Sequence, residues 1–182
     1  PWMLYAAVSQ AFRAPNLSDL TRLDTARSGE LEVPSPGLEP ETFLGWEFGT
    51  KYEVDRWSMQ AAWFRTDGDD VIVRAPTGRT VGTAAEVTKL NAASSWTYGV
   101  EGQVSYRVLP QLLLFAEGMW LDGEADAYPT ASGQAVREPI DVLQPPNWRL
   151  GARWRWPEPR LEGEALVEHA NAQDKLSSRD KA

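Results

Sequence analysis

The stretch NWRLGARWRWPEPRLEGEALVEHA, residues 147–170, alternates apolar and polar side chains on both sides of a proline-rich turn. Side chains of a β-strand point to opposite faces with a period of two, so a trial register can be tested by its faces. Placing Trp156 opposite Leu161 also aligns Leu150 with Val167, and one face of the hairpin becomes wholly apolar. The stretch therefore predicts a two-faced β-hairpin.

The opposite face of this predicted hairpin is charged. In the same register its arginines meet glutamates in three pairs, Arg155 with Glu162, Arg153 with Glu164 and Arg149 with Glu168. An exposed pair contributes only about 0.2–1 kcal/mol, so the pairs identify the register and a wet surface more than they stabilise it.

The same alternation continues through the rest of the chain and predicts seven strands, at residues 2–12, 42–53, 57–74, 94–108, 112–123, 147–156 and 161–172. Most are longer than the roughly 5–6 residues usual in soluble proteins and reach the roughly 9–11 residues that a tilted strand needs to cross a bilayer. Short turns are predicted at 54–56, 109–111 and 157–160, and long polar connections at 13–40, 75–92 and 123–146. Alternating short and long connections are typical of outer-membrane barrels.

Two further hairpins give apolar faces in the same test. The middle one aligns Val108 with Leu112, Tyr106 with Leu114, Val104 with Ala116, Gly102 with Gly118 and Val100 with Trp120. In the first, alternate residues from Leu44 to Tyr52 face the same way as alternate residues from Trp57 to Trp63. Aromatic residues gather near both ends of these faces, which predicts two girdles at the membrane interfaces.

Composition excludes several classes of protein. Mean hydropathy is −0.43, and no run approaches the roughly 18 apolar residues of a spanning helix. The 26 acidic residues outnumber 18 basic ones, which argues against a nucleic-acid partner. Residues 1–12 lack the basic start and apolar block of a signal peptide, so we expect a preceding segment.

The sequence offers no catalytic or metal site. His169 is the only histidine, and no Gly-x-Ser-x-Gly, His-Glu-x-x-His or phosphate-loop motif is present. Asp67, Asp69 and Asp70 resemble the start of a calcium loop, but Val71 stands where another oxygen ligand belongs. We expect no enzyme activity, no cofactor and solvated loop-edge charge at these aspartates.

Residues 9–20, SQAFRAPNLSDL, resemble the strand-to-loop signature of TonB-dependent outer-membrane receptors, with Phe12, Arg13, Pro15 and Asn16 at its centre. The likeness continues in order through LEPE with Pro40 and Glu41, WEFGTKY with Glu47 and Gly49, DDVIVR with Asp70, and Asn91 followed by YGVE with Gly99 and Glu101. We expect these motif residues to be structural. Pro15 is expected to end a strand, and Arg13 to pair with a carboxylate of a neighbouring strand or of the plug domain.

The resemblance implies an all-β fold, an antiparallel up-and-down meander that forms about seven strands of a larger transmembrane barrel of about 22 strands. Residues 1–182 would be part of this barrel, and the plug domain and the closing strands would lie outside them. It further implies a cell outer-membrane location with lipid around the barrel and TonB as a partner through the plug. The ligand would be a small molecule such as a ferric siderophore or cobalamin, and the scarcity of histidine weighs slightly against haem.

Two alternatives remain open from the sequence. The first is an outer-membrane porin without a plug, or a barrel enzyme. The second is a soluble β-sheet module that binds carbohydrate, with exposed tryptophans stacking on sugar rings.

Overall fold

The structure, a computed structural model, describes residues 1–25, 29–140 and 143–177. The strands are β1 (Trp2–Arg13), β2 (Asp24–Thr25), β3 (Leu31–Glu32), β4 (Glu41–Val54), β5 (Trp57–Val81), β6 (Ala84–Leu109), β7 (Leu112–Ala127), β8 (Val136–Pro139), β9 (Asn147–Trp156) and β10 (Leu161–Ala170). One short helix, α1 (Leu17–Thr21), follows β1. In the described ranges, no helix is both long and apolar enough to cross a membrane.

Seven long strands lie side by side in the order β1-β4-β5-β6-β7-β9-β10, and every adjacent pair is antiparallel. The predicted up-and-down meander is therefore confirmed, as are the short turns after β4, β6 and β9. At the first of these turns Asp55 adopts a positive φ of 47°, which aspartate tolerates better than most residues.

The sheet has one apolar and one polar face. We call one of them the apolar face. In the observed register it is formed by the even-numbered residues of β1, β4, β6, β7 and β9, together with the odd-numbered residues in the first part of β5 and along β10. Most of the large hydrophobic side chains that are exposed lie on it, among them Leu4, Phe48 and Leu150. The other face carries most of the charged side chains between the strand ends, and we call it the polar face.

This sheet buries few hydrophobic side chains among the described residues. Among the described residues, the buried hydrophobic side chains are Ala62, Ala75, Val87 and Ala93. A chain of this length that formed a soluble domain would bury large side chains between two layers. Here the large apolar side chains point away from the protein.

Aromatic rings form two bands at the two ends of the apolar face. Near the short turns, ring contacts join Trp2 with Tyr52, Trp57 with Tyr106, and Trp154 with Trp156. Farther along the strands, contacts join Phe48 with Trp63, Tyr98 with both Trp96 and Trp120, and Trp148 with His169. The predicted arrangement of aromatics in two girdles is present in the fold.

The predicted polar connection at 75–92 is wrong. β5 and β6 continue pairing beyond their neighbours as far as Val81 and Ala84, and Gly82 with φ 64° forms the turn. We call residues 70–95 the arm. It extends on the order of 35 Å past the last pairs of β4 and β7, given about 3.3 Å per residue. Its threonines and alanines lack apolar alternation, so periodicity does not reveal these strands.

The other long connections are also more ordered than predicted. The one at 13–40 contains α1, β2 and β3, and β3 pairs in parallel with β6 on the arm. The one at 123–146 contains the end of β7 and all of β8, which pairs with β7. Residues 26–28 and 141–142 of these connections lie outside the described residues, as do residues 178–182.

One detail of the predicted registers and one predicted ion pair are corrected. Leu112 pairs with Leu109 instead of Val108, because a register shift lies between Arg107 and Leu109. Arg149 is aligned with Glu168 as predicted, but its guanidinium forms an ion pair with Glu117 of β7. The hairpin supplies only one neighbour for β9, whereas in the sheet β9 pairs with β7 as well as with β10. The remaining aligned pairs of the last hairpin are confirmed.

Candidate functional site

The polar face is a charged wall built from side chains of neighbouring strands. Arg153 lies 2.6 Å from Glu164, and Arg155 lies 2.8 Å from Glu162, as the sequence predicts. At the other edge of the sheet, on the same face, the Tyr5 hydroxyl donates a hydrogen bond to Glu47 at 2.9 Å. A wall of this kind suits contact with water or with polar protein surface.

A shallow hollow of about 390 Å³ lies at the middle of this wall, and Gln60, Gln103, Glu117 and Arg149 contribute polar side chains to its lining. Glu101, from the YGVE motif, also borders it. Nothing in the hollow resembles a catalytic arrangement of nucleophile and base. Across the described ranges, no group of three histidine, cysteine, aspartate or glutamate side chains is placed to hold a metal ion.

At the strand ends away from the short turns, the FRAP signature begins a network of ion pairs. Arg13 is the last residue of β1 and is aligned with Glu41, the first residue of β4. Its guanidinium bonds to the Glu41 carboxylate and lies 3.2 Å from Asp19 of α1. Arg13 thus pairs with a carboxylate of the neighbouring strand, and β1 ends two residues before Pro15.

Helix α1 is fixed at its start by a capping box. The Asn16 side chain accepts a hydrogen bond from the Asp19 N–H at 2.9 Å, and the Asp19 carboxylate accepts one from the Asn16 N–H at 3.0 Å. This reciprocal pair satisfies two N–H groups that the helix cannot satisfy itself. It also holds the Asp19 carboxylate in place for its ionic partners.

The arm supplies the other cations of the network. Lys89 Nζ donates a hydrogen bond to Asp19 at 2.8 Å and forms an ion pair with Glu32 of β3 at 3.1 Å. Arg74 lies 3.1 Å from the same Glu32. We call these six residues, three cations and three carboxylates, the ionic clamp: Arg13, Asp19, Glu32, Glu41, Arg74 and Lys89. Asp19, Glu32 and Glu41 are all buried.

The neighbouring cations keep the Asp19 carboxylate of the clamp deprotonated. The hydrogen bond from Lys89 outweighs the effect of burial and lowers the pKa of Asp19 below its ordinary value, with further help from the Asn16 N–H and Arg13. The carboxylate therefore stays charged at neutral and mildly acidic pH.

A second link joins the clamp region to the arm through Asn91. Its side-chain amide donates to the carbonyls of Glu39 at 2.8 Å and Asp70 at 2.7 Å, and its oxygen accepts from the Glu39 N–H at 2.7 Å. Asp70 has a positive φ of 56° and lies where β5 shifts register against β6. Glu39 is followed by Pro40 and then by Glu41, so the LEPE and DDVIVR motifs meet here.

The predicted motif residues thus lie in three places. Arg13, Asn16, Glu41 and Asp70 lie in or next to the clamp, with Pro15 and Pro40 beside them in sequence. Glu47, Gly49, Gly99 and Glu101 lie on the polar face, and Phe12 is exposed on the apolar face. The sequence pattern did not indicate site roles for Asp19, Glu32, Arg74 or Lys89. The Asn-x-x-Asp spacing of a capping box was a signal for Asp19 alone.

The family model described as TonB dependent receptor-like, beta-barrel matches residues 1–176. No curated protein matches the chain. Among solved structures, the copper transporter OprC is similar with a TM-score of 0.74 and 19% identity, over 99% of this chain and 25% of that chain. The hemophore receptor HasR of Serratia marcescens, solved with its hemophore HasA and heme, has a TM-score of 0.74 and 18% identity, over 94% of this chain and 30% of that chain.

The FrpB iron transporter from Neisseria meningitidis is also similar, with a TM-score of 0.64 and 19% identity, over 88% of this chain and 23% of that chain. The chain therefore spans between 23% and 30% of the length of these three structures. At such identities the likeness establishes the fold alone, a section of a β-barrel.

Proposed function

Because the chain belongs to the TonB-dependent receptor family, as part of its β-barrel domain, we propose that it is a section of the barrel wall of an outer-membrane receptor for energy-coupled uptake of a scarce ligand. Receptors of this family are transporters and not enzymes. The observation that carries the proposal is the two-faced sheet, with large apolar side chains outside, two aromatic bands at their margins and a charged face opposite. This is the arrangement of a lipid-facing barrel wall around a wet interior.

In this arrangement the short turns face the periplasm, and the arm, the ionic clamp and the connection between β7 and β9 face the outside. Residues 1–182 are one part of the barrel. The plug domain and the strands that close a barrel of about 22 strands belong to other parts of the receptor. TonB would engage the receptor through the plug.

The motif residues receive structural roles in this proposal. Arg13, Asn16, Glu41 and Asp70 anchor the outer connections to the strand ends, assisted by the rigid Pro15 and Pro40. Gly49 and Gly99 allow close packing on the polar face, and Glu47 and Glu101 face the plug. Phe12 projects into the outer margin of the membrane.

The cargo we propose is a metal chelate, namely a ferric siderophore, or a cobalamin. The similar structures whose names state a cargo carry copper, heme or iron, which supports a metal-containing ligand. The single histidine of this chain provides no pair of imidazoles for haem iron. We therefore rank siderophore and cobalamin above haem.

The test is uptake by the full-length receptor, expressed in an outer membrane that lacks other receptors for the same cargo. Radiolabelled ferric hydroxamate siderophore, ferric catecholate siderophore and cyanocobalamin are supplied in turn, with and without functional TonB. We expect TonB-dependent accumulation of one of the three. Accumulation of none of them, or accumulation that persists without TonB, would overturn the proposal in favour of another cargo class or a passive porin.

A further inference from the structure

The connection between β1 and β4 is attached to the arm over most of its described length. Besides the clamp, β3 pairs with the edge of β6 that β7 leaves uncovered, aligning Glu32 with Val87. The Val33 N–H continues this pairing with a hydrogen bond to the Val87 carbonyl at 2.9 Å. The connection thus completes the sheet of the arm instead of standing free above it.

Ser35 attaches the next part of the connection to the arm. Its hydroxyl lies 2.8 Å from the Thr88 hydroxyl and accepts a hydrogen bond from the Lys89 N–H at 2.9 Å. Its own N–H donates to the carbonyl of Leu20 at 3.0 Å, so β3, α1 and β6 meet at this residue. Ser35 is only 7% exposed, although the residues around it are largely in contact with solvent.

The position of the clamp determines what this attachment does. Arg13 and Tyr5 are both odd-numbered residues of β1 and therefore point to the same face, and Tyr5 lies on the polar face against Glu47. α1 is bonded to Arg13 from that side. The helical part of the connection therefore lies on the side of the polar face, which is the entrance of the proposed barrel.

We propose that residues 13–25 and 29–41 form a fixed part of the entrance wall, locked to the arm by the ionic clamp, and do not open to admit the ligand. Loops that open must have local stabilities near zero, with few buried contacts. Here the buried carboxylates of Asp19 and Glu32 hold Lys89 and Arg74 of the arm, and opening would separate these ion pairs at once. Removing one partner from a buried pair leaves a charge without compensation, which opposes partial opening.

The experiment measures the accessibility of Ser35 in the full-length receptor, in a background without other cysteines, and so requires no ligand. Ser35→Cys is compared with Gly37→Cys, two residues away, where a new side chain meets nothing within 4 Å. Whole cells are treated with a membrane-impermeant maleimide, with and without a protonophore that removes the energy supply of TonB. We expect rapid labelling at residue 37 and at least roughly tenfold slower labelling at residue 35 in both states.

Two variants of Lys89 test the cause of the protection. In the Ser35→Cys background, Lys89→Met should raise the labelling rate about tenfold, because Asp19 and Glu32 lose their shared cation. Lys89→Arg retains the charge and should restore most of the protection. Unchanged protection in Lys89→Met would overturn the role of the clamp.

The inference rests on the proposed function, since it places this connection outside the cell, and the two can fail separately. Equal labelling at residues 35 and 37, or labelling of residue 35 only in energised cells, overturns the fixed wall and leaves the receptor assignment intact. Absence of labelling at both residues overturns the outward placement. The same comparison on receptor purified in detergent then still decides whether Ser35 is shielded.

Discussion

Four glycines of the polar face lie directly opposite aromatic side chains of a neighbouring strand, in the pairs Gly49–Tyr5, Gly68–Phe43, Gly99–Phe64 and Gly151–Phe115. In each pair a Cβ on the glycine would meet the ring. Covering a strand glycine with an aromatic ring restores the packing that its missing side chain leaves open. This explains in physical terms why the motif segments contain Gly49 and Gly99.

Replacing Gly99 should therefore destabilise the barrel. An alanine Cβ there would lie 2.7 Å from Cζ of Phe64 and 2.6 Å from the Trp120 carbonyl oxygen, which is backbone and cannot move alone. We expect Gly99→Ala to lower the free energy of unfolding by about 1–3 kcal/mol. Gly102→Ala is the matched control, because its Cβ would be no closer than 3.5 Å to any neighbour. Urea unfolding of the purified receptor in detergent measures both, and equal losses would contradict this packing.

The charge of Asp19 gives a prediction about pH. Its pKa is lower in the folded state than in the unfolded one, so its contribution is complete above the unfolded pKa of about 3.9 and disappears as pH falls through the folded value. Its charged neighbours are Arg13 on β1, Lys89 on β6, and the carboxylates Glu32 and Glu41. Asp19→Asn should cost about 1–3 kcal/mol, since charged hydrogen bonds are lost.

That cost should stay constant between pH 7 and pH 5 and shrink only below about pH 4. It is measured as the difference in unfolding free energy between the parent receptor and Asp19→Asn at each pH. Taking the difference cancels the titration of groups elsewhere in the barrel. A cost that already declines between pH 7 and pH 5 would show that the clamp does not hold Asp19 charged.

At the scale of the strand, the two faces predict opposite outcomes for the same substitution. Leu150 of β9 lies on the apolar face and is 50% exposed, whereas Leu166 of β10 lies on the polar face and is 48% exposed. Exposure therefore does not distinguish them. Leu150→Arg should cost about 2–4 kcal/mol because it places a charge in lipid, and Leu166→Arg should cost much less. Refolding into lipid vesicles measures both, and similar costs would refute the assignment of the faces.

The strands themselves could be predicted from the sequence because one face of the sheet is apolar and the other is polar, so the two kinds of side chain alternate along each strand. The register of β9 and β10 followed from Trp156 opposite Leu161, and the charged pairs Arg153–Glu164 and Arg155–Glu162 confirm it. The arm could not be predicted in this way. Apolar and polar side chains do not alternate regularly along it, so its pattern carries no period.

The ionic clamp could not be predicted from the sequence, for a different reason. Lys89 and Asp19 are 70 residues apart, and their contact depends on the route of a connection that has no periodic pattern. The sequence placed Arg13, Asn16 and Glu41 in motifs and anticipated a carboxylate partner for Arg13. The parallel pairing of β3 with β6 determines which carboxylates bind which cations. No local sequence pattern predicts this pairing.

For the whole molecule, the exposed apolar face predicts the behaviour of residues 1–182 expressed alone. Trp2, Leu4, Val8 and Phe12 are each more than 60% exposed, and Val167 at the other end of the sheet is 63% exposed. β1 and β10 also end the order of strands in the described sheet, so each presents backbone groups along one side. Continuous apolar surface and open strand edges both promote association in water.

We therefore expect this polypeptide to form large assemblies in buffer and to become dispersed only in detergent, as measured by light scattering during gel filtration. A variant with serine at Leu4, Val8, Leu150 and Val167 serves as the control, because it weakens the apolar face and leaves the strand edges unchanged. Smaller assemblies of the variant would assign the association to the apolar face, and equal assemblies would assign it to the edges. A monodisperse monomer of the unmodified polypeptide in buffer would mean that these side chains find cover within the chain, as in a soluble sheet, and the lipid-facing wall would have to be abandoned.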